Sequence, residues 1–203
     1  MSNDLSELAK RIKPAKKGAA EIDHVVVTEH EAAMSSIRGI RTQPGTFARL
    51  RVDGCTVMSD TGMEHRTNYE FIRRAHGHVL IAGLGLGLIL HMLRERMDKI
   101  QSITVVELSQ DVIDLVAPYY QMPKVKIVQG DINTWTPPAR AVYDVIYFDI
   151  WPDICMDNLK LMAKLTRRFA KYKNRVNPEV WMECWSRPEM RANARATEPA
   201  TDL

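Results

Sequence analysis

Several things this sequence lacks narrow its class. It has three cysteines, Cys55, Cys155 and Cys184, widely spaced and with no C-x-x-C among them. An odd, dispersed set argues against a disulfide framework and for a reducing compartment, with each thiol expected as a small buried side chain. No stretch reaches the ~18 apolar residues of a membrane-spanning helix, and the polar N-terminus has no signal-peptide core. A cytoplasmic protein with no membrane partner is expected. The formal net charge is only +3, too mild to require a nucleic acid or an anionic membrane. The histidines show neither H-x-x-x-H nor H-E-x-x-H spacing, so no metal site is expected. No internal repeat is visible.

What is present is organised around one stretch. Residues 79–82 form a short apolar run that reads as a buried strand. Gly83, Gly85 and Gly87 follow at alternate positions, and residues 88–93 then open a helical pattern. Strand, glycine turn and helix begin a nucleotide-binding βαβ unit, in which glycine lets a ligand approach the backbone closely. The spacing is G-x-G-x-G. A strict G-x-G-x-x-G would need a further glycine at Leu88 or Leu90. With 203 residues, 45% hydrophobic and 26% charged, the chain is long enough for one well-packed domain with an appendage.

Ahead of the glycines, residues 3–12 suggest a short helix. Residues 13–18 are basic and broken by Pro14 and Gly18, so residues 1–20 read as a flexible basic arm. A strand is expected over 22–28 and a helical turn or two over 29–37. Residues 47–52 and 56–58 flank Asp53-Gly54, a favoured hairpin turn. A helix follows over 64–75, with Tyr69, Ile72 and Arg73 on one face and Gly77 closing it. Residues 21–77 thus form an N-terminal extension to a core spanning 78–187.

Beyond the glycines, strand alternates with helix. The first helix runs to about residue 97. Strand 103–106 ends at Glu107, and Ser109 is a plausible N-cap for a helix over 110–117 that Pro118 ends. Strand 125–128 is followed by Gly130-Asp131, and a loop occupies 136–139. Strand 143–148 ends at Asp149, a helix covers 156–173, and a fifth strand covers 180–185. Residues 188–203 read as a polar tail with a short helix. This alternation implies a doubly wound parallel sheet whose carboxyl edge collects the glycine turn, Glu107, Asp131 and Asp149.

A carboxylate at Glu107, 20 residues after Gly87, can accept hydrogen bonds from both hydroxyls of a ribose; otherwise it is a helix-start acid. Asp131 suits the exocyclic amine of adenine, or a simple turn. Asp149 is the candidate base or electrostatic partner, with Asp60 and Glu64 as helpers. Trp151 either stacks on a ligand or packs under a loop. In the last long helix, Met162, Leu165, Phe169 and Tyr172 follow core spacing. Lys160, Lys164, Arg167, Arg168 and Lys171 make a cationic face, either solvated or a nucleic-acid footprint.

Residues 79–88, 105–107, 143–149 and Gly130-Asp131 resemble, in order, the motifs of class I S-adenosylmethionine-dependent methyltransferases. The preceding hairpin with Val52-Asp53-Gly54, then Ser59-Asp60 and Tyr69-Glu70, is similar to the spermidine synthase-like branch. The resemblance covers about residues 45–186. It implies an α/β fold with a Rossmann-like sheet of methyltransferase type and an N-terminal β-hairpin extension. It also implies a shortened C-terminus, because two further strands are usual, and hence an open sheet edge and a homodimer. The implied cofactor is S-adenosylmethionine or its decarboxylated form. Gly83, Gly85 and Gly87 would line its methionine and ribose, Glu107 with Leu108 the ribose, Asp131 and Ile132 the adenine, and Asp149 the sulfonium or acceptor.

The sequence departs from the aminopropyltransferase pattern at three places. Leu86 stands where a loop aspartate is usual, Asn68 where a tyrosine is, and the strand-four acids are Asp149 and Asp153 with a shifted spacing. The expected activity is therefore methyl transfer to an unspecified acceptor. Aminopropyl transfer and a non-catalytic Rossmann-like binding or scaffold role are the alternatives.

Overall fold

The computed structural model describes residues 5–37 and 42–197. Five strands make a parallel sheet in the order β7-β6-β5-β8-β9: β5 (Gly77–Ala82), β6 (Ile100–Glu107), β7 (Val125–Gln129), β8 (Val145–Phe148) and β9 (Trp181–Cys184). β5 lies at its centre. Val79, Leu80, Ile81 and Ala82 are all at most 1% exposed, as an apolar run covered on both faces must be. From β5 the chain winds outward to β6 and β7, then crosses back to β8 and β9, so the order reverses between β5 and β8. Ligands of open α/β sheets bind at such a reversal.

Side chains alternate between faces along a strand, and β8 shows what each face meets. Tyr147 stacks on Phe71 of α3 (Gly62–Arg74), with ring centroids 4.4 Å apart. Its neighbour Phe148 meets Phe169 of α6 (Asn158–Phe169) edge-on at 5.2 Å. The helix after β5 is short: α4 covers Leu88–Met92, and a 3-10 segment continues it to Arg96. Ser109 caps α5 (Gln110–Val116), its hydroxyl accepting from the Val112 N–H at 3.3 Å. A 3-10 turn containing Pro118 follows.

The extension is a four-stranded antiparallel sheet, β1 (Ala15–Lys17), β2 (Ala20–Val27), β3 (Gly45–Val52) and β4 (Cys55–Ser59), with α2 (Glu29–Ile37) between β2 and β3. Asp53 and Gly54 join β3 to β4 with φ of 49° and 77°, the doubly positive pair that a tight hairpin turn demands.

The structure departs from the sequence expectation at the basic arm, at the buried face and the end of α3, and at two of the three cysteines. The basic arm is folded: α1 (Glu7–Arg11) buries Leu8 and Ala9, Ile12 beyond it is also buried, and Ala15–Lys17 pairs with β2. Its apolar residues recur at helical spacing, while Lys16 and Lys17 lie on an exposed edge strand, where charge guards against further pairing. In α3 the buried face is Asn68, Phe71 and Ile72, whereas Tyr69 is 63% exposed. Ala75 caps that helix and Gly77 begins β5 instead. Of the cysteines, only Cys184 is buried. The polar tail contains α7 (Arg187–Thr197), anchored by buried Met190; residues 198–203 lie outside the described residues. Among the described residues, no helix is long and apolar enough to cross a membrane.

Candidate functional site

The sheet register brings the predicted residues level. Gly83 N–H donates to Val106 O at 2.9 Å, Gly130 N–H to Glu107 O at 2.8 Å, and Asp149 N–H to Ala82 O at 2.8 Å. Gly83, Glu107, Gly130 and Asp149 therefore stand side by side at the carboxyl edge. Gly83 has φ of 99°. A Cβ there would lie 2.0 Å from the Asp149 carbonyl oxygen, so only glycine lets β8 run this close.

A cavity of 440 Å³ opens at this edge, within the range usual for small-molecule sites. Gly83, Gly85, Glu107, Leu108, Asp131, Ile132 and Asp149 all line it. Gly87 does not. It is the N-cap of α4 with φ of 71°, and a Cβ there would meet the Tyr120 ring at 2.2 Å. Its role is to let that buried ring pack, while the Tyr120 hydroxyl donates to Leu86 O at 3.3 Å. Asp60 is also away from the cavity. It is buried, accepts from Ala48 N–H at 2.7 Å and from the Ser6 hydroxyl, and ties α1 to β3. Asp153 is exposed and faces Asn158.

The carboxylates of the cavity differ in how they are supported. Glu107 accepts from the N–H of Leu84 through Oε2 and of Ser109 through Oε1, both at 2.8 Å. Each oxygen retains a second lone pair for a hydroxyl. Asp131 Oδ1 accepts from the backbone and side chain of Asn133 at 2.8 and 2.9 Å, which leaves Oδ2. Among the described residues, Asp149 and Glu64, the latter from the first turn of α3, have no such support. Burial, reinforced by the negative charge of Glu64, pushes Asp149 up to about 8. Burial alone pushes Glu64 up to about 7. Among the described residues, no lysine, arginine or histidine lines the cavity. Among the described residues, no group of three or more His, Cys, Asp or Glu is placed to hold a metal ion.

Three contributors were not legible in the sequence. Met58, on β4, accepts the Leu86 N–H on its sulfur at 3.0 Å, so the hairpin is docked on the glycine turn. Trp185 closes one side of the cavity, its indole N–H donating to Thr67 Oγ1 at 3.0 Å. Arg168, read as part of a cationic face, instead turns inward. It donates to Ile132 O at 2.5 Å and to Trp135 O, holding the loop that carries Asp131. Only spatial packing identifies these contacts; no local spacing announces them.

No protein-family model matches this sequence, and no curated protein does either. Solved structures with partial likeness include the CcbJ methyltransferase from Streptomyces caelestis, with 17% identity and a TM-score of 0.45 over 60% of this chain and 48% of that one. The plantazolicin methyltransferase BpumL, solved with a monoazolic desmethylPZN analog and SAH, shows 17% identity and a TM-score of 0.39, covering 54% of this chain and 39% of that one. The YcgJ protein from Bacillus subtilis shows 20% identity and a TM-score of 0.36, covering 42% and 38%. The matched region spans less than half the length of each.

Proposed function

We propose that the protein is an S-adenosylmethionine-dependent methyltransferase. The observation that carries this reading is the placement of Glu107. Its carboxylate stands beside Gly83 at the sheet's carboxyl edge, inside one cavity with Asp131 and Asp149. The donor set fits an adenosine-bearing sulfonium: Glu107 offers lone pairs to two hydroxyls, Asp131 Oδ2 offers an acceptor to an amine, and the lining is anionic. When bound, the cofactor supplies an electrophilic methyl group. The chain's own part is to hold the adenosine through Glu107 and Asp131, to exclude water behind Trp151 and Trp185, and to offer Asp149 as the proton acceptor.

One observation favours a second reading, aminopropyl transfer of the spermidine synthase-like kind. Among the described residues, the lining has no basic side chain to pair with the α-carboxylate of S-adenosylmethionine, a group that the decarboxylated cofactor lacks. Against it, Leu86 leaves no acid in the glycine turn for an amine. Titration calorimetry with both cofactors separates the two. Methyl transfer predicts tighter binding of S-adenosylmethionine; a tenfold preference for the decarboxylated form overturns it.

A further inference from the structure

α6 and the turn after it concentrate positive charge. Residues 158–178 hold seven Lys or Arg and no Asp or Glu, in a chain whose formal net charge is only +3, so the remainder is net negative. Met162, Leu165 and Phe169 bury the inner face of α6, and Arg168 turns inward to the carbonyls of Ile132 and Trp135. Lys160, Lys164, Arg167 and Lys171 are left exposed. They follow at steps of four, three and four residues, with Lys171 in the 3-10 turn that continues the helix. That spacing sets them in one stripe about 17 Å long.

The stripe works against the helix that carries it. Like charges three or four residues apart weaken a helix, and Lys160 lies in the first turn, where the helix dipole disfavours a cation. Lys10 of α1 is paired with Glu7, and Arg73 and Arg74 of α3 with Glu70. None of the four stripe cations forms an ion pair among the described residues. An anion covering the stripe would offset the repulsion.

What surrounds the stripe distinguishes the anions that could cover it. A protein partner presses an apolar centre from which lysine is depleted; three of these four cations are lysines, and the exposed residue among them is Ala163. A single strand stacks its bases on free aromatic faces; Phe169 is buried, and Lys171 lies over the Tyr172 ring at 5.0 Å. A duplex backbone asks only for a row of available cations. The major groove of B-form DNA is wide enough to receive a helix, and that of A-form RNA is not. We propose that the outer face of α6 docks double-stranded DNA through its phosphates. Trp151 and Pro152 of the cavity lining precede α6 by a few residues, so the Lys160 end of the stripe is the end nearer the cavity. Docking of this kind is independent of the cofactor.

The test is fluorescence anisotropy of a labelled DNA duplex of about 20 base pairs, titrated with the full chain in the absence of cofactor. Four phosphate contacts make log K fall with log salt at a slope of about −3.6, an affinity loss of about 150-fold between about 50 and about 200 mM salt. Lys164→Gln with Arg167→Gln should halve that slope and weaken binding at least about tenfold at about 50 mM salt. Lys160→Gln with Lys171→Gln should do the same, so either pair serves if the other fails to fold. Arg73→Gln with Arg74→Gln, at cations already paired with Glu70, should leave binding unchanged. No binding by wild type at micromolar concentration and about 50 mM salt overturns the proposal. So does a slope unchanged in folded stripe variants, or equal affinity for an RNA duplex, a single strand or polyglutamate.

Discussion

At the scale of single residues, the site is a contrast among carboxylates. Glu107 and Asp131 are supplied with N–H donors by the turns that follow their strands. Asp149 and Glu64 have none among the described residues, and their proton affinities rise, to about 8 and about 7. Both groups hold protons more tightly in the folded protein than unfolded. Their contribution to stability is therefore full below about pH 4 and is lost as pH rises through about 7 to 8. Thermal melting of the ligand-free protein at a series of pH values checks this. Asp149→Asn should gain on wild type steadily between about pH 5 and pH 8; a gap that narrows over that range contradicts it. Asp149 was legible in the sequence from its place at a strand end. The pairing with Glu64 could not be ranked there, because the two are 85 residues apart and meet only through packing.

At the scale of elements, the parallel core was readable because its strands carry short apolar runs bounded by glycine, proline or acid, and Glu107, Asp131 and Asp149 end or closely follow β6, β7 and β8. The extension was harder. Lys16, Lys17 and Pro14 suggested a mobile arm, yet the apolar spacing of Leu8, Ala9 and Ile12 binds the segment into the core. Gly87 looked equivalent to Gly83 and Gly85 in the motif, but its neighbour is the Tyr120 ring rather than the cavity. α3 matters most for the site, because it carries Glu64 and is fixed to β8 and β9 through Phe71, stacked on Tyr147 and 6.2 Å from the Trp181 ring. Phe71→Ala is expected to cost about 3–5 kcal/mol of unfolding free energy in denaturant titration. A loss below about 1 kcal/mol would show that α3 is held by other contacts.

At the scale of the whole molecule, the carboxyl edge of a parallel sheet and a hairpin-bearing extension close on one cavity. The extension supplies Met58 against the glycine turn and Glu64 against Asp149, so both units complete the site. Among the described residues, β9 is an edge strand of the sheet, hydrogen-bonded within it only to β8. We propose that a second copy covers this edge; gel filtration at micromolar concentration should give the mass of two chains, and a single-chain mass contradicts it. The central claim, an adenosyl-sulfonium cofactor held by Glu107, is tested most directly by calorimetric titration of S-adenosylhomocysteine into wild type and Glu107→Ala. Wild type is expected to show saturable one-site binding and the variant at least about a tenfold loss, the worth of hydrogen bonds to a charged acceptor. No binding by folded wild type, or equal affinity in the two proteins, would contradict it.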